Sequence, residues 1–428
     1  MLKDRNILIL GSSSWDASMQ RMQHFAHGLA EQNRVVFLDP FNPGPYVFWK
    51  VLVRRPLGRP IGYSVDEVRQ VHERLSVYYH RTRVLPTREG LLPEHVRRSV
   101  EERCLMQRVG CHLRGIRFSP DVVCCTHPQH LAAARRMRGA SLIYYDVHDN
   151  MPAFFREPER GRLQKLDRAL VRLADLVITS SHPLTQRCLA FGRPAEGVHC
   201  QPNGVRFDLF SRPAAPEVRE RVASLLPGRG ANTLVRPYIG YVGTIAWWFD
   251  FERLLRAADA HPEWSFVLVG PVVEMRQGDW NARDAPRRPN IHYLGERPYE
   301  EVPELIRHFD ACLIPFRLNE LTESVNPVKM YEYFALGKPV VSTPLPEVAA
   351  HGDLCYLASD GPDGLERAIG AALAEGEDAA RAAPVRDARV ELARHNSWQA
   401  RIEGVAQLIE AALAARAGAD RREREHAV

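Results

Sequence analysis

At 428 residues, with 45% hydrophobic and 25% charged side chains, the chain has an ordinary globular composition and enough length for about two domains. No apolar run reaches the roughly 18 residues needed to cross a bilayer, and Lys3, Asp4 and Arg5 precede only a short apolar run, which argues against a secretory leader. The net charge is +5, and residues 41–120 carry a basic excess larger than that of the whole chain.

The eight cysteines are scattered and none forms a C-x-x-C pair, which fits reduced thiols in a cytoplasmic protein better than a disulfide frame or zinc site. Within the basic region, residues 45–59 interleave aromatic and aliphatic side chains with Lys50, Arg54, Arg55 and Arg59. Such a segment suits peripheral contact with an anionic membrane face. A solvated connecting loop is the alternative, and no nucleic-acid motif accompanies the patch.

From the N-terminus, residues 6–10 read as a buried strand, 11–14 as a turn and 18–31 as a helix with Met22, Phe25, Ala26 and Leu29 on one stripe. Strands follow at 35–38, 75–79, 122–125, 142–145, 176–179 and 198–201, most of them separated by helical runs. Continuous apolar strands between helices imply a parallel sheet covered on both faces. Pro202-Asn203-Gly204-Val205 breaks the rhythm and closes a first domain, 1–205. Pro213, Pro216 and Pro227 then mark 206–236 as an interdomain connection. A second alternating series, 237–396, has strands at 238–242, 266–269, 292–294, 311–315, 340–342 and 354–357. Residues 397–415 form an amphipathic helix, and the polar residues 416–428 read as a frayed tail.

Three clusters carry chemistry. Residues 326–343 read N-P-V-K-M-Y-E-Y-F-A-L-G-K-P-V-V-S-T, a helix followed by a buried strand, with Asn326 as N-cap, Pro327 at the first helical position and Gly337 as C-cap. Lys329 and Glu332, three apart, lie on one helix face. A lysine at a helix N-terminus, beside Asn326 and Val328, suits a diphosphate, and a carboxylate one turn on can accept two hydrogen bonds from a ribose diol. An ordinary helix with a solvated Lys–Glu pair is the plain alternative.

The second cluster opens the second domain, where strand 238–242 runs into a turn. The backbone N–H groups of Gly243, Thr244 and Ile245 are candidates to hold phosphate oxygens. Trp247 and Trp248 suit either stacking on a ligand or packing. In the third, Asp146, His148 and Asp149 follow the strand at 142–145, the functional end of a parallel sheet. An Asp there suits a general base on an acceptor hydroxyl, and Asp146 equally suits capping the local turn. His127 and Arg21 stand at the same side, as acceptor contacts or as a helix cap and a surface arginine. No D-x-D pair and no His/Cys cluster of zinc spacing occurs, so no metal and no cofactor is expected.

The 326–343 segment resembles the nucleotide-sugar motif of GT-B glycosyltransferases, glycosyltransferase family 4 in particular, whose usual form is Glu-x7-Glu ending in E-A-x-A-x-G-x-P-V-V. Glu332 matches the second glutamate. The first falls at Ser324, with Glu323 and Glu320 nearby. The 243–250 run G-T-I-A-W-W-F-D resembles a subgroup related to teichuronic-acid and exopolysaccharide transferases. It lacks the Arg and Lys that family 4 places after this strand, which puts more weight on Lys329. P-N-G-V resembles the end of a GT-B N-terminal domain, and 292–299 the strand-turn that holds the base. His148 is the nearest match to a family histidine near the sugar, with Asp146 and Asp149 as rivals.

The resemblance implies an α/β GT-B fold, two Rossmann-like parallel-sheet domains facing a central cleft, with the 397–415 helix crossing back to the first. It implies an enzyme moving a sugar from a nucleotide sugar, UDP- or GDP-linked, to a glycan or lipid-linked acceptor in bacterial surface polysaccharide synthesis. Such an enzyme works in the cytoplasm, at the inner membrane face if 45–59 makes contact, with no nucleic acid involved. A GT-B epimerase and a non-catalytic GT-B partner subunit are the alternatives.

Overall fold

A computed structural model describes residues 2–17, 19–40, 67–79, 106–107, 109–226, 237–273 and 288–426. The basic segment 45–59 lies outside the described residues. The chain divides into two compact units. One comprises Met1–Thr179, Leu184–Gln201 and Ile402–Val428, the other Ser180–Pro183 and Pro202–Arg401. Each has its own continuous apolar core.

The first unit is an eight-stranded sheet. In chain order its strands are β1 (Asn6–Leu10), β2 (Arg34–Asp39), β3 (Glu67–His72), β4 (Leu75–Tyr79), β5 (Val122–Cys125), β6 (Leu142–Val147), β7 (Leu176–Thr179) and β8 (Val198–Cys200). Their order across the sheet is β3-β4-β2-β1-β5-β6-β7-β8. All neighbours are parallel except β3 and β4. The parallel strands are the apolar runs of the sequence, buried on both faces as βαβ units require. β3 was not among the expected strands. It reads E-V-R-Q-V-H and is mostly exposed, so it carries no buried run to announce it. The first helix is Arg21–Leu29, shorter than the expected 18–31, and Met22, Phe25, Ala26 and Leu29 are buried as the stripe predicts. The last helix, Trp398–His426, extends through the residues read as a tail, and Ile402 packs against Gly28 within the first unit.

The second unit is a six-stranded parallel sheet of β9 (Tyr238–Val242), β10 (Ser265–Val269), β11 (Ile291–Gly295), β12 (Ala311–Ile314), β13 (Val340–Ser342) and β14 (Cys355–Leu357). Its order is β11-β10-β9-β12-β13-β14, the doubly wound 3-2-1-4-5-6 arrangement. The strand order reverses between β9 and β12, so the crevice beyond their C-terminal ends is where a ligand is expected. The expected connection at 206–236 is not plain loop. It holds helices Phe207–Ser211 and Pro216–Leu225, and Pro216 starts a helix from its first position, where its missing N–H costs nothing. Residues 227–236 lie outside the described residues.

Candidate active site

At the reversal in the second unit, β9 ends in a turn with two glycines in conformations that side chains rarely adopt. Gly243 has φ +140° and Gly270, after β10, has φ +135°. A Cβ on Gly270 would stand 2.1 Å from the Gly243 carbonyl oxygen, so the two turns are pressed together. A Cβ on Gly243 would stand 2.2 Å from Cε and 2.6 Å from Nζ of Lys329. The tip of Lys329 therefore rests on the β9 turn. Its ammonium lies 5.4 Å from the ring centres of both Tyr241 and Phe316. Among the described residues it makes no hydrogen bond. Burial pushes its pKa down, and Glu332 opposes this.

Of the three backbone N–H groups expected to hold phosphate, two are spent inside the protein. Gly243 donates to the Val269 carbonyl at 2.8 Å and Ile245 to the Pro271 carbonyl at 2.9 Å. The Ile245 side chain is wholly buried in the core. Extending the parallel pairing past the strand ends takes these donors, a cost the turn pattern does not reveal. Thr244 keeps its N–H unpaired among the described residues, while its carbonyl accepts from the Tyr241 hydroxyl at 2.6 Å.

The helix bearing Lys329 runs Val328–Ala335 with Pro327 at the N-cap, so Asn326 is not the cap. Its side chain is engaged elsewhere. Oδ1 accepts from the Asn203 N–H at 2.9 Å, and Nδ2 donates to the Tyr331 hydroxyl at 3.1 Å and to Glu347 Oε2 at 2.8 Å. Asn203 Nδ2 also donates to the Asn326 carbonyl at 2.7 Å. Asn326 thus holds the entry to the helix, and all its side-chain polar atoms have protein partners. Val328 and Lys329 head the helix, and their N–H groups are unpaired among the described residues. The helix ends as expected. Gly337, φ +67°, donates to the Phe334 carbonyl and Lys338 to that of Tyr333, the paired bonds of a glycine C-cap.

One turn into this helix, Glu332 is buried, and its Oε1 accepts from the Tyr299 hydroxyl at 2.7 Å. Burial raises its pKa, while Tyr299 and Lys329 hold it down. Tyr299 escaped the sequence reading as a site residue because it lies 33 positions from Glu332. At the place of the expected first glutamate, Ser324 is buried and its hydroxyl donates to the Glu320 carbonyl at 3.1 Å. Glu320 and Glu323 are exposed. Trp247 is buried and meets half-buried Trp248 edge-on at 5.6 Å.

A second polar cluster lies within the first unit, beyond β5 and β6. Arg21 and Asp146 are its core. Nε of Arg21 lies 3.0 Å from each carboxylate oxygen, and both residues are almost fully buried. Arg21 is therefore no surface arginine, and its charge is already matched by a carboxylate. Among the described residues, the Asp146 carboxylate meets Arg21 and does not cap its own turn. His148 places Nδ1 3.4 Å from the Asp146 carbonyl oxygen and Nε2 4.0 Å from Asp149 Oδ2. Asp149 keeps a third of its side chain exposed, and burial of the remainder raises its pKa against the pull of His148 and Arg21. His127 Nδ1 accepts from the Gln129 N–H at 3.2 Å, the helix-cap alternative of the sequence reading. Burial, with His148 and Arg162 nearby, lowers its pKa to about 4. His130, not singled out from sequence, accepts from the N–H groups of Thr126 and His127 and is lowered by burial to about 3. Both imidazoles are neutral at physiological pH. The cluster thus brings together Arg21, Asp146, His148, Asp149 and His127, with Asp149 the most accessible carboxylate of the set.

Comparison with known proteins bears on both units. The sequence pattern of the family described as Glycosyl transferases group 1 matches residues 236–375, which lie in the second unit. TuaH of Bacillus subtilis, named as a candidate teichuronic acid biosynthesis glycosyltransferase, is 32% identical over 196 residues. That stretch is 45% of this chain and 46% of TuaH, so the match spans under half of the relative's length. Among solved structures, Anabaena HepE in complex with UDP and glucose superposes with a TM-score of 0.63 at 17% identity, covering 95% of this chain and 99% of its own. Sucrose-phosphate synthase from Thermosynechococcus elongatus superposes with 0.67 at 15% identity, covering 96% and 100%. These likenesses are of fold: two parallel-sheet Rossmann-like domains of the GT-B type.

Proposed function

We propose that the chain is a glycosyltransferase that takes a sugar from a nucleoside-diphosphate donor held at the C-terminal edge of the second unit's sheet. The observation that carries this reading is Lys329. It is a cation without a hydrogen-bond partner among the described residues, laid over two aromatic rings and against a glycine turn, one helical turn before a buried carboxylate. A diphosphate supplies the missing partner. The N–H groups of Thr244, Val328 and Lys329 add donors for its oxygens, and Glu332 takes the ribose. This set meets the growing charge of the leaving diphosphate without a metal.

The match of residues 236–375 to a glycosyl transferase family supports the assignment. So does the fold shared with HepE, whose complexes contain UDP and UDP-glucose, which favours a UDP-linked donor over a GDP-linked one. In the first unit, Asp149 with His148 is assigned to the acceptor. As a general base, Asp149 takes the proton of an acceptor hydroxyl. The raised pKa of Asp149 suits a base. The similarity to TuaH, named for teichuronic acid biosynthesis, supports a role in polysaccharide synthesis, and a glycan or lipid-linked acceptor is the one this proposal takes. Segment 45–59 is assigned to peripheral membrane contact on its composition alone.

Calorimetric titration with UDP, GDP, CDP, ADP and dTDP tests the donor site. One diphosphate, UDP first, should bind, and Glu332→Ala should weaken it at least about 10-fold. Asp149→Asn should leave that affinity intact and lower transfer about 100-fold. Failure of every nucleotide to bind sinks the reading. Binding with no turnover of any nucleotide sugar points instead to a non-catalytic partner subunit.

A further inference from the structure

Glu332 faces the candidate donor site with two inequivalent oxygens. Oε1 accepts a short hydrogen bond, 2.7 Å, from the Tyr299 hydroxyl. Oε2 accepts none among the described residues. Glu332 as a whole is only 7% exposed. Tyr299 is held in its turn. It begins the short helical turn Tyr299–Glu301 after β11, directly behind Pro298. Its ring packs against Phe210 with centroids 6.0 Å apart, and the Arg206 guanidinium lies 6.0 Å over it. Phe210 is anchored by Arg307, whose Nη2 donates to its carbonyl at 2.7 Å. The hydroxyl therefore meets Oε1 from a fixed direction.

The sequence expectation was that Glu332 accepts both hydroxyls of a ribose diol. With one lone pair of Oε1 taken by a hydroxyl held in place, Oε2 is the stronger acceptor left for the ribose. We propose that Tyr299 is a positioning residue that reserves Oε1 of Glu332, so that the carboxylate grips one ribose hydroxyl through Oε2 and distinguishes the 2′ from the 3′ position. This deepens the donor-site reading and rests on it. Removing the Tyr299 hydroxyl makes the two oxygens equivalent acceptors, so the two ribose hydroxyls are bound alike. The discrimination is thus a property of the pair, Tyr299 with Glu332.

The test is calorimetric titration of the full-length protein with UDP, 2′-deoxy-UDP and 3′-deoxy-UDP, on the wild type, Tyr299→Phe and Glu332→Ala, with thermal melting to verify folding. In the wild type one deoxy analogue should bind about 10-fold more weakly than UDP and the other within about 2-fold, since a single hydrogen bond to a carboxylate is at stake. In Tyr299→Phe, which keeps the packed ring, the two penalties should converge. In Glu332→Ala both should vanish. Equal penalties in the wild type overturn the proposal even if Tyr299→Phe fails to fold, and so does unchanged discrimination in a folded Tyr299→Phe. If Glu332→Ala removes discrimination while Tyr299→Phe keeps it, only the role of Tyr299 falls. Discrimination that survives in Glu332→Ala removes the ribose assignment of Glu332 itself, and no UDP binding to the wild type removes the donor site with it.

Discussion

An ammonium packed over two aromatic rings and against a glycine turn gains some cation–π attraction, but on a half-buried side chain it gives up part of its hydration, which no described hydrogen bond replaces. Burial accordingly lowers the Lys329 pKa, so folding and ligand binding make opposite demands on this side chain. Lys329→Met should stabilise the ligand-free protein by about 1 kcal/mol, seen as a higher melting temperature, while weakening UDP binding at least about 10-fold. The pH dependence has a definite sign. Below the ordinary lysine value of 10.5, the unfolded chain keeps a proton that the folded chain sheds, so ligand-free stability rises with pH across that window. Melting curves on the alkaline approach to pH 10.5 should show this gain in the wild type and lose it in Lys329→Met. Equal slopes would refute it. Lys329 and Glu332 were legible in the sequence because a three-residue spacing on a helix fixes their neighbourhood. Tyr299 was not, because tertiary packing alone brings it to Glu332. Asp146 and Arg21 were legible as polar groups at a sheet end, but their pairing across 125 positions was not.

The helix Val328–Ala335 delivers both donor-side residues, so its two ends matter more than its length. Its C-terminus follows sequence rules because a glycine C-cap is local chemistry. Its N-terminus does not, because Asn326 serves long-range partners, Asn203 and Glu347, instead of the helix. Asn326→Ala leaves the Asn203 N–H and a Glu347 oxygen without these partners. It should cost about 2–3 kcal/mol in denaturant unfolding and weaken UDP binding as the helix entry loosens. A cost under about 0.5 kcal/mol would mean the network is not holding the helix. The same division between local and distant causes runs through the strands. Continuous apolar runs such as β5, β7 and β12 are readable because burial on both faces leaves no polar positions. The helix starting at Pro216 was read as loop because proline signals a helix start and a chain break alike.

Two separate apolar cores predict that the molecule does not unfold as one. Calorimetric melting should show two transitions, and UDP at about 100 times its Kd should stabilise only the one belonging to the second unit, by about 2.7 kcal/mol. Deleting residues 402–428, which belong to the first unit, should lower the other transition most, since the helix it truncates, Trp398–His426, begins in the second unit. A single transition shifted by both treatments would contradict this. The edge strand β3 has a different consequence. It contributes little to the core, leaving Glu67, Val68, Arg69 and Gln70 exposed, yet it covers the flank of β4, where Val77, Tyr78 and Tyr79 are buried. Arg69 spans the Tyr79 ring at 5.1 Å and reaches Asp16 at 2.6 Å. Among the described residues, the first sheet without β3 would end in an aromatic strand with unpaired backbone, a template on which another copy could add its own strand. With it, the border of the described strands carries charges of both signs, which disfavours strand addition by another copy in crowded solution.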